Sequence, residues 1–233
     1  MTATPLQRLM DNSAYAALYE RVVHPSVLAP FTRRSSFEEI FQELRALSAP
    51  PSVAAEGLVL DLACGTGWFG RRLVREARAT GTSISVLAVD ASPAMLARAR
   101  RIAARDGLTE IEHVEADVQR LTMVASGAAD EIWLCGALHL IPDPHRTLAE
   151  VARVAKPGAV LLCQTFVRSE RAAIRSPSSL ASRFGFTFFE LAELEHLIHA
   201  AGLAAAGIRR YGAVVFFAAK RPESGEPSPT SSS

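Results

Sequence analysis

Short apolar runs alternate with segments of helical periodicity between residues 57 and 220, and this alternation constrains the fold more than any other feature. Each run has the length of a strand, whereas the intervening segments carry apolar residues three or four positions apart. Strands that alternate with helices form a parallel sheet that is covered by helices on both faces. The predicted strands are residues 57–62, 84–89, 110–115, 131–135, 159–166, 203–209 and 214–219.

The last two predicted strands are separated by Tyr211-Gly212, which is typical of a hairpin, so one of them must be antiparallel. The sequence therefore predicts an α/β fold with a doubly wound, mostly parallel sheet and one reversed strand near its edge. Ser92-Pro93 and Asp143-Pro144 each combine an N-cap residue with a proline at the first helical position. The predicted helices of this region are residues 68–79, 93–104, 144–155 and 189–201.

Residues 1–50 lie outside this pattern and are expected to form two amphipathic helices, at 6–22 and 36–48. Pro50-Pro51 marks the boundary, after which residues 51–221 are expected to form one domain. Residues 222–233, PESGEPSPTSSS, have nothing to bury and are expected to be disordered.

The charge balance gives no electrostatic reason to expect nucleic acid or an anionic membrane as partner, because 25 basic and 24 acidic residues leave a net charge of +1. The apolar runs are too short for insertion into a membrane. The cysteines are odd in number and lack a CxxC pair, so neither a disulfide framework nor a metal site is expected, and a cytoplasmic location is the default. Arg71, Arg72 and Arg75 have helical spacing and are expected on a solvated face.

The segment LVLDLACGTGWFG, residues 58–70, contains Gly65-x-Gly67-x-x-Gly70 directly after a predicted strand. This spacing occurs in loops that hold a pyrophosphate at a helix N-terminus. Asp61 argues against that ligand, because a carboxylate about 5 Å from a phosphate costs about 3 kcal/mol at an effective dielectric constant of about 20. A cationic ligand reverses the sign of this interaction. The loop therefore favours a ligand such as S-adenosylmethionine over a dinucleotide.

Two more acids follow the next two strands. Asp90 ends the second strand, where a carboxylate can accept both ribose hydroxyls of a nucleoside, whether from NAD or from S-adenosylmethionine. Asp117 follows the third strand, where it can accept the adenine amino group while the backbone amide of Val118 meets a ring nitrogen. Capping of a short helix is an equally good interpretation of Asp117. Ala91 and Met95 are expected to pack on the adenine.

The motifs LVLDLACGTGWF, VLAVDASPAML, VEADVQRL and ALHLIPDPHRTLAEVARVAKPGAVLLCQTF together resemble class I S-adenosylmethionine-dependent methyltransferases, most closely the type 11 group. The resemblance implies a Rossmann-like sheet of seven strands, an N-terminal helical lid, and S-adenosylmethionine as cofactor with S-adenosylhomocysteine as product. It places Cys135 and Gly136 beside the methionine carboxylate and the methyl group. The expected cofactor-binding residues are Asp61, Ala63, Cys64, Gly65, Thr66, Gly67, Asp90, Ala91, Met95, Asp117, Val118, Cys135 and Gly136.

His139 is the candidate catalytic residue, because it lies in the loop after the fourth strand and a neutral imidazole has a suitable pKa for a general base. The alternative is a loop histidine that only forms hydrogen bonds. The chain departs from many relatives at two positions: Ala63 stands in place of a glycine, and Leu140 in place of a second histidine. The expected acceptor contacts are Tyr15, Tyr19, Phe31, His139, Phe184 and Phe186, although packing in the core explains the aromatic residues equally well.

The sequence therefore predicts methyl transfer to an oxygen, nitrogen or carbon atom of a small apolar or aromatic metabolite, such as a quinone precursor or a natural product. An NAD(P)-dependent oxidoreductase is the first alternative, but no Tyr-x-x-x-Lys pair accompanies the glycine loop. A non-catalytic protein that binds S-adenosylmethionine is the second, and other chemistry with the same cofactor is the third. Nucleic acid is not an expected partner, and the protein is expected to be a monomer or a homodimer.

Overall fold

The computed structural model describes residues 5–20, 36–48, 56–168 and 186–223, with the side chains from residue 8 onward. The described helices are α1 (Pro5–Met10), α2 (Ser13–Leu18), α3 (Phe37–Arg45), α4 (Trp68–Thr80), α5 (Pro93–Arg105), α6 (Pro144–Val154) and α7 (Leu191–Ala200). The described strands are β1 (Gly57–Leu62), β2 (Ile84–Asp90), β3 (Ile111–Glu115), β4 (Ala129–Cys135), β5 (Ala155–Phe166), β6 (Ala204–Tyr211) and β7 (Val214–Lys220).

All seven strands form one sheet in the order β3-β2-β1-β4-β5-β7-β6. The pairs among β1 to β5 are parallel, whereas β7 is antiparallel to both β5 and β6. The predicted doubly wound sheet with a reversed strand near its edge is therefore confirmed. The order of strands reverses at β1, so the carboxyl ends of β1 and β4 flank the crevice in which such sheets bind ligands.

The sheet separates two cores, because successive side chains of a strand point to opposite faces. On one face, Leu60 and Leu134 pack with helices α6 and α7. On the other face, Val59 and Trp133 pack with helices α3, α4 and α5. Both faces of the central strands are buried, which explains why those strands are continuously apolar in the sequence.

Helix α3 is joined to the sheet by an ion pair as well as by apolar packing. The Arg45 guanidinium lies 2.7 Å from a carboxylate oxygen of Glu131, a β4 residue with no exposed surface. The indole N–H of Trp133 donates to the same carboxylate, and the Arg45 guanidinium lies 5.0 Å from the centre of the Trp133 ring. This helix is therefore part of the second core.

The N-terminal segment differs from the single helix predicted over residues 6–22. Asn12 has extended backbone angles and interrupts the helix between Met10 and Ser13. Its side-chain oxygen accepts the backbone N–H groups of Ala14 and Tyr15, at 2.9 and 3.2 Å, and so caps α2. An asparagine side chain competes with the helical hydrogen bonds of the backbone, which is why it favours a cap over a helix interior.

No helix in the described ranges combines the length and the apolar character that a membrane span requires. Strand β5 begins at Ala155, earlier than predicted, because Ala155 already pairs with Ala129 before a bulge shifts the register. Of the predicted tail, only residues 222 and 223 lie within the described part of the chain.

Candidate active site

The carboxyl ends of four adjacent strands carry the predicted cofactor-binding residues to one edge of the sheet. The turn between β1 and α4 contains residues 63–67, and Asp61 lies in the last part of β1. Asp90 ends β2, while Asp117 and Val118 follow β3. Cys135 ends β4, and His139 lies in the single turn of 3₁₀ helix at Leu138–Leu140 that comes next.

The three glycines of the loop serve different purposes. Gly65 has φ +55°, and a Cβ atom added there would meet no atom within 4 Å, so a ligand can approach its backbone. A Cβ atom at Gly67 would lie 3.2 Å from the Cβ of Ala99 in α5, and one at Gly70 would lie 3.2 Å from Asp61. The latter two glycines therefore allow close packing within the protein, and only Gly65 leaves open space.

Ala63 occupies the left-handed region, with φ +51°. This conformation costs a residue with a side chain about 1 kcal/mol, whereas glycine adopts it freely. The backbone at this position therefore favours glycine, and the chain tolerates alanine at a modest cost in stability.

Asp61 is a buried carboxyl group directly behind the glycine loop. It is 1% exposed, and one of its oxygens accepts the backbone N–H of Gly70 at 2.8 Å. Burial is the main cause that raises the pKa of Asp61 to about 7, and the nearby Asp90 contributes to this shift, while the Gly70 hydrogen bond and the charge of Arg71 act in the opposite direction. A cation bound beside it would stabilise the charged form. A buried carboxyl group without such a cation is costly, and this fits a site for a positively charged ligand.

Asp90 connects the end of β2 to the glycine loop. Its two oxygens accept the backbone N–H groups of Gly65, at 2.7 Å, and of Ser92, at 2.8 Å. Ser92, in turn, caps α5 by accepting the N–H of Met95 at 3.3 Å. Each carboxylate oxygen of Asp90 can accept a second hydrogen bond. The acid is therefore positioned by the loop and is able to bind a diol.

Asp117 is exposed and accepts the backbone and side-chain N–H groups of Gln119, both at 2.9 Å. In this local turn Asp117 has a structural role, which is the type of alternative to adenine binding that the sequence allowed. Val118 and Met95 are buried, whereas Ala91 is exposed. The structure thus brings the predicted adenine contacts to the strand ends β2 and β3.

Glu20, two residues after the end of α2, is bound to the glycine loop. Its carboxylate accepts the Thr66 hydroxyl at 2.6 Å and lies 2.7 Å from a guanidinium nitrogen of Arg71. Arg71 also donates to the backbone carbonyl of Thr66 and is only 3% exposed. The prediction of a solvated face is therefore wrong for Arg71. No sequence pattern indicates a role for Glu20, since its partners lie about fifty residues away.

Further contacts place the N-terminal segment over the end of β2. The Ser92 hydroxyl donates to the backbone carbonyl of Met10 at 3.2 Å. The rings of Tyr15 and Tyr19 lie 5.8 Å apart. Burial raises the pKa of Tyr19, and the nearby charge of Asp90 adds to this shift. Tyr19, one of the predicted acceptor contacts, is thus close to Asp90, and Tyr15, another, lies beside Tyr19.

His139 is buried among aromatic rings and is 3% exposed. The Phe166 ring meets it edge-on with centroids 4.5 Å apart, and the Phe186 ring stacks on it at 5.7 Å. Its Nδ1 lies 3.4 Å from the Thr165 hydroxyl. Burial lowers the pKa of His139 to about 3. The ordinary imidazole pKa that the sequence analysis assumed does not hold in this environment.

Two buried side-chain nitrogens have no hydrogen-bond partner in the described part of the chain: Nε2 of His113, beside Gly67, and Nε2 of Gln164 in β5. Sequence reasoning missed Gln164, although a glutamine near the end of the apolar run AVLLCQTF was a visible signal. Phe31 and Phe184, two of the predicted acceptor contacts, lie outside the described residues. Among the described residues, no group of three His, Cys, Asp or Glu side chains is arranged to hold a metal ion.

Comparison with known proteins identifies a methyltransferase domain in the chain. A family model described as a methyltransferase domain matches residues 59–158. An uncharacterized chloroplastic methyltransferase of Arabidopsis thaliana is 34% identical over 140 residues, which are 58% of this chain and 38% of that protein. Trans-aconitate 2-methyltransferase of Deinococcus radiodurans is 34% identical over 136 residues, 56% of this chain and 48% of that protein. The chain thus spans less than half the length of these two relatives.

A solved structure shows the same fold. Phosphoethanolamine N-methyltransferase 2 of Haemonchus contortus, in complex with S-adenosyl-L-methionine, matches with a TM-score of 0.74 and 14% identity. The match covers 95% of this chain and 61% of that one. At this identity the likeness concerns the arrangement of helices and strands alone.

Proposed function

We propose that the protein transfers a methyl group from S-adenosylmethionine to a small apolar or aromatic molecule, because a family model described as a methyltransferase domain matches residues 59–158. The observation that best supports this proposal is Asp61, a buried carboxyl group behind a loop whose backbone is open to a ligand at Gly65. Asp61 favours a ligand with an ammonium and a sulfonium, and Asp90 binds its ribose. The bound cofactor supplies an electrophilic methyl group.

An NAD(P)-dependent oxidoreductase is less well supported by the same geometry. A pyrophosphate at the loop would face Asp61, whose pKa a neighbouring anion would raise still further. Asp90 does not separate the two cofactors, since both carry a ribose. The two cofactors are therefore distinguished by the charge of the group at the loop, which is positive for S-adenosylmethionine and negative for NAD(P).

The acceptor is proposed to bind on the α3 and α4 side of the crevice, beyond Cys135. Phe166, Phe186 and the buried ring of His139 provide an aromatic wall there. Such a wall suits a flat apolar ring. With its lowered pKa, His139 is neutral at physiological pH. We therefore propose that it orients the acceptor through direct contact and a hydrogen bond. The displacement of a methyl group depends mainly on alignment of the two reactants.

Titration calorimetry with S-adenosylmethionine, S-adenosylhomocysteine and NAD tests the cofactor assignment. The wild-type protein is expected to bind both sulfur nucleosides and not NAD. Asp90→Ala is expected to weaken their binding by about 1–3 kcal/mol, because a charged hydrogen bond to the ribose is lost. Asp106→Ala is the matched control, since Asp106 is an acid at the far end of α5 that pairs with Arg75.

Thermal melting of both variants identifies any loss of the folded state, because Asp90 also holds the Gly65 backbone. Binding of NAD alone would contradict the proposal and would mean that the loop holds a phosphate. Equal weakening in the two variants would remove Asp90 from the site.

A further inference from the structure

Gln164 carries a hydrogen-bond donor that has no partner among the described residues. The residue is 2% exposed, and no described atom accepts a hydrogen bond from its Nε2. A buried polar group in this state destabilises the folded protein. In the buried part of β5, a side-chain amide with an unused N–H indicates a ligand that supplies the missing acceptor.

The side chain of Gln164 lies next to the reactive end of the crevice. Gln164 of β5 is the strand partner of Cys135 in β4. The backbone N–H of Gly136 donates to the backbone carbonyl of Gln164 at 2.9 Å. A Cβ atom placed on Gly136 would lie 3.4 Å from the side-chain oxygen of Gln164. On β5, Gln164 shares a face with Phe166, two residues further on. The amide therefore lies between the proposed methyl position and the aromatic wall.

Aromatic rings line one side of the crevice beside this amide. Phe188 lies 6.3 Å from both Phe166 and Phe186, and both Phe186 and Phe188 are only half-buried. The backbone N–H of Thr187 donates to the His139 carbonyl at 2.7 Å, which fixes this wall against the loop after β4. An acceptor ring that packs on the wall would bring one of its edges to Gln164.

We propose that Gln164 donates a hydrogen bond to an oxygen atom of the methyl acceptor, so that the pocket selects an aromatic ring bearing a carbonyl, carboxylate or phenol oxygen. This inference rests on the proposed function and makes its acceptor more specific. Gln164 is thus a specificity-determining residue. A site that offers a buried donor discriminates strongly against an analogue without the matching acceptor, because the donor then remains unpaired.

The methionine carboxylate of the cofactor is the competing partner for the same N–H. The two possibilities differ in what a change at Gln164 does. Loss of a contact with the cofactor weakens S-adenosylhomocysteine binding, whereas loss of a contact with the acceptor leaves it unchanged.

The experiment compares two probes of nearly the same shape, acetophenone and α-methylstyrene, of which only acetophenone has an oxygen. Their dissociation constants are measured by ligand-observed NMR on the full chain, with and without S-adenosylhomocysteine. The variant is Gln164→Met, which keeps the length of the side chain and removes the amide. Thr147→Val is the control, since Thr147 is a buried polar residue of α6 whose hydroxyl donates to the Asp143 carbonyl.

The ratio of interest is the dissociation constant of α-methylstyrene divided by that of acetophenone. We expect this ratio to be about tenfold larger in the wild type than in Gln164→Met, as for the loss of one hydrogen bond. Thr147→Val should keep the wild-type ratio. Gln164→Met should also melt at a higher temperature than the wild type, because an unpaired buried amide is removed, whereas Thr147→Val should melt lower.

Three results would overturn the inference. One is a ratio that is the same in the wild type and in Gln164→Met. Another is weaker S-adenosylhomocysteine binding by Gln164→Met, which would assign the amide to the cofactor. The third is a large fall in the melting temperature of Gln164→Met, which would give the amide a structural role. Failure of the wild type to bind S-adenosylhomocysteine at all would contradict the proposed function, while the probe ratio would still be measured on the ligand-free protein.

Discussion

At the scale of single residues, Asp61 contains the most information about the ligand. Its carboxyl group is buried and has only one described hydrogen bond, from the Gly70 backbone. The protein thus maintains an acid in an environment that disfavours its charge, with a pKa raised to about 7. Perturbed acids of this kind concentrate at functional sites. The cost is recovered when a cation binds beside the carboxylate.

Asp61→Asn is expected to remove the pH dependence of cofactor binding. In the ligand-free protein Asp61 is protonated below about pH 7, and a bound cation favours the charged form, so binding releases a proton there. The affinity of the wild type should therefore rise between pH 5.5 and 7, by at most about tenfold per pH unit, and then level off. Calorimetry in buffers of different ionisation enthalpy measures the proton release.

The same substitution has a predictable effect on stability. The folded pKa of Asp61 lies above its unfolded value, so the stability contributed by this group is lost as the pH rises from about 4 through about 7. Asp61→Asn should therefore raise the melting temperature more at pH 8 than at pH 4. A wild-type affinity that does not change between pH 5.5 and 7 would contradict the assignment of Asp61.

At the scale of elements, the N-terminal segment and the glycine loop are joined through Glu20 and Arg71. Arg71 belongs to α4 and is almost fully buried, so its charge depends on Glu20 for compensation. The same carboxylate holds the Thr66 hydroxyl in the loop. The position of the segment after α2 and the conformation of the loop are therefore coupled, and movement of one should change the other.

Glu20→Gln is expected to release the segment that contains α1 and α2. The loss of a charged partner should make local opening easier by about 1–3 kcal/mol, which corresponds to a tenfold to hundredfold increase in amide exchange. Hydrogen exchange followed by mass spectrometry measures this for residues 8–20. Glu38→Gln is the control, because Glu38 forms an exposed pair with Arg72 of the same helix α4, and such pairs contribute less than about 1 kcal/mol. Unchanged exchange in Glu20→Gln would show that the ion pair does not hold the segment.

At the scale of the whole molecule, burial of His139 connects pH to global stability. Its folded pKa of about 3 lies below the value of about 6.5 for an unfolded chain. The stability that neutral His139 contributes is therefore present above pH 6.5 and is lost as the pH falls below that value. The loss approaches about 1.4 kcal/mol per pH unit between these two pKa values.

His139→Phe is expected to flatten the acid side of the stability profile. Between pH 6 and 4.5, the melting temperature of the wild type should fall more steeply than that of His139→Phe. The reason is that only the wild type takes up a proton at this site on unfolding. The turnover rate with a methyl acceptor gives a second measurement. If His139 stays neutral, the wild-type rate should show no ionisation near pH 6.5. A loss of rate with an apparent pKa near 6.5 that disappears in His139→Phe would instead make it a general base.

The sequence was sufficient to predict the order of strands and helices and the acids at the strand ends, because both depend on local patterns. Asp61 and Asp90 each end an apolar run, and parallel strands bring such ends together. Glu20 and Arg71 were missed because an ion pair across fifty residues leaves no periodic signal, and an arginine among other arginines on a helix resembles a solvated face. The split of the first helix at Asn12 was missed because the apolar spacing continues across the cap.

The ion pair between Arg45 and Glu131 limits how this architecture can change over evolution. Glu131 lies inside the sheet with no exposed surface, so its charge needs the arginine that α3 delivers. A relative that exchanges its N-terminal helices for others, for instance to accept a new substrate, would leave an uncompensated charge in the core unless position 131 changed as well. Such losses cost about 3–5 kcal/mol. Helix α3 and the interior of the sheet are thus expected to be inherited as one unit.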